Sequence, residues 1–261
     1  MCTLIALHRC VAGAPLVIAA NRDEFLERPS EGPALRDGPG GRIVAPRDGR
    51  AGGTWLGLNG TGVFAAVTNR HCSEPDPDCR SRGLLVTDAL RFATAREAAR
   101  DLEGLEDGAY NPFNLLVADR EDAFLVTYDG SARQIVLQPG AHVVGNTDPQ
   151  APRSPKLSAL DRAVAVAAAA APERVLDELA AICRGHGGNG DVLGDACVHA
   201  GEYGTRSSTL LCLADDHDDS VFRYADGAPC GNAYRDYTPL LRDLRRDPGY
   251  VHGETATRSV N

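Results

Sequence analysis

Cysteine is the second residue of this chain, directly behind its only methionine, and it opens the apolar run "MCTLIALH". Once methionine is removed, Cys2 carries a thiol and an α-amino group on one residue. A thiolate is a strong nucleophile, but with an ordinary pKa near about 8.5 only a few per cent of a thiol is ionised at neutral pH. An α-amino group titrating near about 8 is placed to take the thiol proton and to return it later to a leaving amine. Such chemistry also needs an anchor for the amine and donors for the oxyanion. Asp23, in "NRDE" at 21–24, is suited to hold the α-amino group, with Asn21 and Arg22 adding polarity beside it. Asn69 and Asn146 each end a strand-like run, where a side-chain amide is a natural oxyanion donor worth a few kcal/mol. Arg206, just before "SSTLLCL", completes the set. Each residue also has an ordinary structural use. A buried thiol packs as a small hydrophobe, asparagine terminates strands, and arginines and acids at a charged strand exit pair with one another for little gain.

The elements that must position these residues follow from the hydrophobic pattern. Runs at 3–8 and 15–21 read as two strands joined by a short turn, which brings "NRDE" beside Cys2. Residues 26–53, rich in Gly, Pro and Arg, read as a long loop and a wall of any cleft, as does the polar stretch 70–82. "TWLGLN" and "GVFAAVTN" form a hairpin turned at Asn59-Gly60. Helical spacing covers 83–93 and 95–105, the second capped by Thr94. Four strands in meander order are expected from 113 to 148, then a helical block at 155–184, a glycine-rich loop, a hairpin at 208–226 and a charged helical tail. Strands, helices, strands, helices, strands in that order imply α+β architecture with mainly antiparallel sheets. No repeat or low-complexity tract divides the chain, so 1–261 is expected as one domain.

Composition narrows the function classes. The net charge of -9, from 36 acidic and 27 basic residues, argues against nonspecific nucleic-acid binding. No run approaches the roughly 20 apolar residues of a membrane helix, and the start lacks the pattern of a secretory signal, so a cytoplasmic protein without membrane insertion is expected. The eight cysteines are expected as reduced thiols. Cys183 with His186, and Cys197 with His199, are pairs of ligand type. Neither spacing is a recognised zinc knuckle and "GGNGD" between them reads as loose loop, so no metal is expected.

Taken together, "MCTLIAL", "ANRDEFLERP" at 20–29, "GGTWLGLN" at 52–59 with Trp55, "GVFAAVTN" at 62–69, "FNLLVAD" at 113–119, "VVGNTD" at 143–148 and "GTRSSTLL" at 204–211 resemble the NRDE family, also called the transport and Golgi organization protein 2 family. That family is similar in turn to N-terminal nucleophile hydrolases of the penicillin V acylase and bile salt hydrolase type. The resemblance implies a four-layer αββα sandwich with two mainly antiparallel sheets between helix layers. It implies Cys2 as nucleophile, Asp23 near the α-amino group, Asn69 and Asn146 around the oxyanion and amine, and Arg206 as a late active-site arginine, supported by Asn21, Arg22 and Trp55. The acylases read Arg-Asn-x-Asp where this chain reads Ala20-Asn21-Arg22-Asp23, and the arginine, displaced by two positions, is expected on the other face of its strand. The implied activity is cleavage of a linear amide of a small molecule, without a cofactor. The family also implies an alternative, a carrier of haem or of an acyl-CoA or lipid ligand, for which His8, His71 and Cys72 are axial-ligand candidates by type. The sequence does not select an oligomeric state.

Overall fold

The computed structural model describes residues 2–187 and 191–245. The opening apolar run forms β1 (Thr3–Val11), which turns through Gly13, at φ +74°, into β2 (Ala14–Phe25). β2 is buried on both faces almost to its end, which explains a near-continuous apolar run rather than an alternating one. The expected loop at 26–53 is instead largely a hairpin, β3 (Ser30–Gly38) and β4 (Gly41–Asp48). Its prolines disguise it. Pro33 and Pro46 both fall in the register shift between the pairs Glu31↔Arg47 and Ala34↔Ala45, and β3 is an edge strand, where a missing N–H is tolerated.

β5 (Leu56–Asn59) and β6 (Phe64–Asn69) form the expected hairpin. Asn59 organises its turn, accepting from the N–H groups of Thr61 and Val63 and donating to Leu90 and Phe92 carbonyls. Two helices follow, α1 (Arg82–Ala89) and α2 (Ala95–Leu102). Thr94 caps α2 in a reciprocal box with Glu97. β7 (Phe113–Ala118), β8 (Ala123–Tyr128) and β9 (Ala132–Val136) make a meander, but β10 (Gly140–Val144) departs from the expected order. It crosses to the other sheet and pairs with β1, Leu4 opposite Val144. Runs of similar composition carry no local mark of which sheet they join.

The helical block divides into α3 (Pro155–Ala168) and α4 (Pro172–Cys183), because Pro172 has no N–H to continue a helix and fits the first position of a new one. β11 (His199–Ala200), β12 (Tyr203–Leu213), β13 (Val221–Asp226), β14 (Arg235–Asp236) and α5 (Thr238–Arg245) complete the described residues. The first sheet runs β10-β1-β2-β12-β13-β14, with β11 on β12, and the second runs β3 to β9 in chain order, all pairs antiparallel. Leu4, Leu16 and Ile18 of the first sheet meet Phe64, Leu116 and Leu125 of the second in a shared core. Helices α1 and α2 cover the outer face of the second sheet, and α3 and α4 that of the first. The layers are therefore α, β, β, α, as expected. Fully burying one such leucine or phenylalanine is worth about 1.5–3 kcal/mol, so this middle layer holds the two sheets in fixed relation at the site. Among the described residues no helix is long and apolar enough to cross a membrane.

Candidate active site

Cys2 lies immediately before β1, and the β1–β2 register, with Thr3 opposite Asn21, carries it to the polar end of β2. Its Sγ is 3.8 Å from the Asp23 carbonyl oxygen, and the thiol is part-buried. Burial, followed by the Asp23 charge, pushes the thiol pKa up, while Arg22 pulls it down. Burial therefore favours the protonated thiol over the thiolate at this position.

Asp23 is 5% exposed, and its Oδ1 accepts a 2.7 Å hydrogen bond from Thr205 Oγ1. Burial pushes its carboxyl up to about 6 despite that bond. The neighbouring Arg22 is 6% exposed, and its guanidinium lies 4.1 Å from the centre of the Trp55 ring, with Glu24 at 4.0 Å. Its Nη1 has no hydrogen-bond partner among the described residues. The expectation that Arg22 turns to the other face of its strand is corrected. Side chains two apart share a face, so Ala20 and Arg22 both look between the sheets. Asn21 is the residue that faces the helices, where its amide donates to the Cys183 carbonyl at 2.9 Å and the Ala196 carbonyl at 2.8 Å.

Cys2, Arg22, Asp23, Trp55 and Asn69 share one cavity of about 580 Å³. Asn69 is the last residue of β6, and its backbone carbonyl accepts from the Asn146 side-chain amide. Asn146 does not itself line the cavity; its own carbonyl accepts from His71 N at 3.0 Å, so it ties two cavity-side loops together. Arg206 does not join this group. It is the extra residue of a bulge, since Thr205 pairs with Asp23 and Ser207 with Arg22, and bulging re-aims a side chain. Arg206 instead pairs with Asp226 at 2.7 Å and lines a separate cavity with His199 and Tyr203.

The expected walls do line the cavity, through Arg28, Asp48 and Arg50 from 26–53 and Pro75, Asp76 and Arg80 from 70–82. Gly53 brings this wall close to α1: a Cβ there would lie 2.3 Å from the Gly83 carbonyl carbon, so only glycine permits the approach. His8, His71 and Cys72 all lie outside the cavity lining, and His8 is buried on β1.

Comparison with known proteins identifies the family and the fold. The family model described as Transport and Golgi organisation 2 matches residues 1–223. The chain belongs to that family. A Transport and Golgi organization 2 homolog of Mus musculus is 37% identical over 141 residues, 50% of each chain, so this chain spans about half the length of that relative in the match. Among solved structures, the Caenorhabditis elegans N-acylethanolamine-hydrolyzing acid amidase ortholog superposes with a TM-score of 0.57 at 13% identity, covering 83% of this chain and 95% of the other. The C2A mutant of the conjugated bile acid hydrolase from Clostridium perfringens does so with a TM-score of 0.51 at 11% identity, covering 91% and 96%. At these identities the likeness is one of fold, that of the N-terminal nucleophile hydrolases.

In this family member the cavity also has a buttress that the sequence does not announce. Arg28 binds Asp48 in two-pronged fashion, Nε to Oδ1 at 3.0 Å and Nη2 to Oδ2 at 2.6 Å. Against its burial, Asp48 is held below the usual carboxylate range by this contact. Arg82 also lines the cavity and donates to the Pro112 carbonyl at 3.0 Å. The available signal was weak: "ERP" and "PRD" are charged exits whose pairing depends on the unrecognised β3–β4 hairpin.

Proposed function

We propose that this protein is a cysteine N-terminal nucleophile amidohydrolase acting on a linear amide of a small molecule, with Cys2 as nucleophile after Met1 is removed. The observation that carries this reading is the placement of Cys2 at the head of β1, beside Asp23 and on the wall of the 580 Å³ cavity that Asn69 also lines. Two structural neighbours are named for cleaving N-acylethanolamines and conjugated bile acids, which supports amide chemistry on this fold.

In the proposed reaction the Cys2 α-amine takes the thiol proton as Sγ bonds to the substrate carbonyl carbon. The Asn69 amide donates to the developing oxyanion. Collapse breaks the C–N bond, the α-ammonium returns the proton to the leaving amine, and water then hydrolyses the thioester to a carboxylate and regenerates the thiol. Asp23 holds the α-amino group, and Asn146 fixes the segment that carries Asn69.

A second reading keeps the cavity and omits the bond cleavage: haem or an acyl conjugate is carried there. Arg22, Arg50 and Arg82 on the cavity wall could meet an anionic ligand of this kind, beside Asp23, Glu24 and Asp76 and with Arg28 already paired to Asp48 and Arg80 to Asp88. Intact mass and probe labelling separate the two. Loss of methionine with an acyl-probe adduct mapped to Cys2 supports the hydrolase; tight haem or acyl-conjugate binding that survives Cys2→Ala, with no amide turnover by the native protein, supports the carrier.

A further inference from the structure

A second group of reactive side chains lies away from the Cys2 cavity. His186 follows α4, Cys197 and His199 flank Val198 at the start of β11, and Cys230 lies between β13 and β14. One potential ligand atom from each of the four lies within 4.8 Å of all the others. Cys197 Sγ is 3.6 Å from Cys230 Sγ and 3.6 Å from His199 Nε2, and His199 Nε2 is 3.1 Å from Cys230 Sγ. The His186 and His199 rings are 5.2 Å apart, centre to centre. We propose that these four residues are the ligands of a structural zinc ion.

The spacing has a direct geometric meaning. Zinc binds sulfur at about 2.3 Å and imidazole nitrogen at about 2.0–2.1 Å in a tetrahedron, so adjacent ligand atoms stand roughly 3.3–3.8 Å apart. The two 3.6 Å separations fall in that range, and the 3.1 Å one needs only a small outward movement. A disulfide would require the sulfurs near about 2.05 Å. Two thiolates would neutralise a dication, and a sulfur-and-imidazole tetrahedron selects zinc over the oxygen-seeking ions. Asp195 Oδ2, 3.6 Å from His186 Nδ1, adds a carboxylate beside one imidazole, a common companion of metal-binding histidines. The expectation that no metal is bound rested on spacing along the chain, and the ligands come from three separate segments.

The ion would staple those segments together. Cys197 N already donates to the Gly185 carbonyl at 3.0 Å, and Arg184 Nε to the Pro229 carbonyl at 3.2 Å, which aligns the α4 exit, β11 and the turn bearing Cys230. The staple would also brace the polar end of β2. Asn21 donates to the Ala196 carbonyl, and Val198 N donates to Thr205 Oγ1, which in turn donates to Asp23. Zinc at this position is a positioning element and does not touch the substrate.

The test is elemental analysis of the full-length, tag-free protein purified under reducing conditions, with cobalt substitution as a second readout. Equimolar zinc is expected, falling to background in both Cys230→Ser and His199→Ala and unchanged in Cys10→Ser, whose thiol is exposed elsewhere. Cobalt-loaded native protein should show the visible absorption of a tetrahedral sulfur-ligated ion, lost in Cys230→Ser while circular dichroism stays native. Chelation should lower the thermal midpoint, and zinc should restore it. Folded protein that takes up neither zinc nor cobalt, zinc content unaffected by Cys230→Ser, or a native Cys197–Cys230 disulfide overturns the assignment.

Discussion

The Cys2 cavity and the Cys197–Cys230 cluster use the same functional group for different ends, and their surroundings set the difference. Cys2 lies beside Arg22 and Asp23 on the wall of an open cavity that Cys79 also lines. Cys197 and Cys230 face each other with two imidazoles and lie beyond the cavity lining. The first arrangement sets a sulfur on a cavity wall, as the proposed attack on a carbonyl carbon requires; the second sets sulfur and nitrogen atoms around one point, as the proposed zinc ion requires. β2 connects them, because alternate side chains face opposite ways: Arg22 looks between the sheets, and Asn21 reaches toward the cluster. Asp23 stands between the two regions through Thr205.

The comparison breaks most sharply at Cys2. Cys2→Ala should lower amide turnover by at least about 10³-fold, measured as kcat/KM on a responsive substrate, while leaving the metal content unchanged. Turnover that survives would detach the chemistry from this thiol. Asn69→Ala comes next, with a loss of about 10²-fold in kcat and little change in KM, as expected for a donor used only in the transition state.

Asp23→Asn sharpens the electrostatic side. Burial raises the native carboxyl to about 6 from an unfolded value near 3.8, so the folded state holds its proton more tightly. Protonation therefore favours the fold, and stability falls as pH rises between those values, with the full penalty present above about 6. The amide variant carries no such penalty. In urea unfolding it should match the native protein near pH 3 and exceed it at pH 8 by up to about 3 kcal/mol, while turnover falls. Lower stability of the variant at pH 8 would show that ionised Asp23 is a net stabilising partner.

Thr205→Val is the smallest of these effects and the one that reports on the link between the regions. It removes the acceptor of Val198 N and the donor to Asp23, both buried, at a cost of about 1–3 kcal/mol. Denaturant midpoints measure that loss, and zinc content should hold, because no ligand is removed.

Much of this was legible in the sequence because local signals and pairing agreed. The β1–β2 turn placed Asp23 beside Cys2, and the Thr94 cap and the Asn59 turn declared themselves by residue type. The β3–β4 hairpin was hidden because Pro33 and Pro46 usually mark loops, and only their common position in one register shift makes them compatible with strands. Arg206 was misplaced because a one-residue bulge in β12 leaves no mark in composition. The four-residue cluster was invisible as a unit, since Cys230 lies far along the chain from His186. Cys183, the last residue of α4, stands apart from that cluster: it is buried in the core between its helix and the first sheet, and burial pushes its thiol up to about 12.

Whether Cys2 is a mature N-terminal nucleophile is decided by intact mass and peptide mapping before and after reaction with a thiol-directed acyl probe. A chain lacking methionine that gains an adduct mapped to Cys2 is expected, with no adduct at that position in Cys2→Ala, whatever the exposed Cys10 and Cys230 take up. A chain that retains methionine and shows no selective labelling at Cys2 would contradict it.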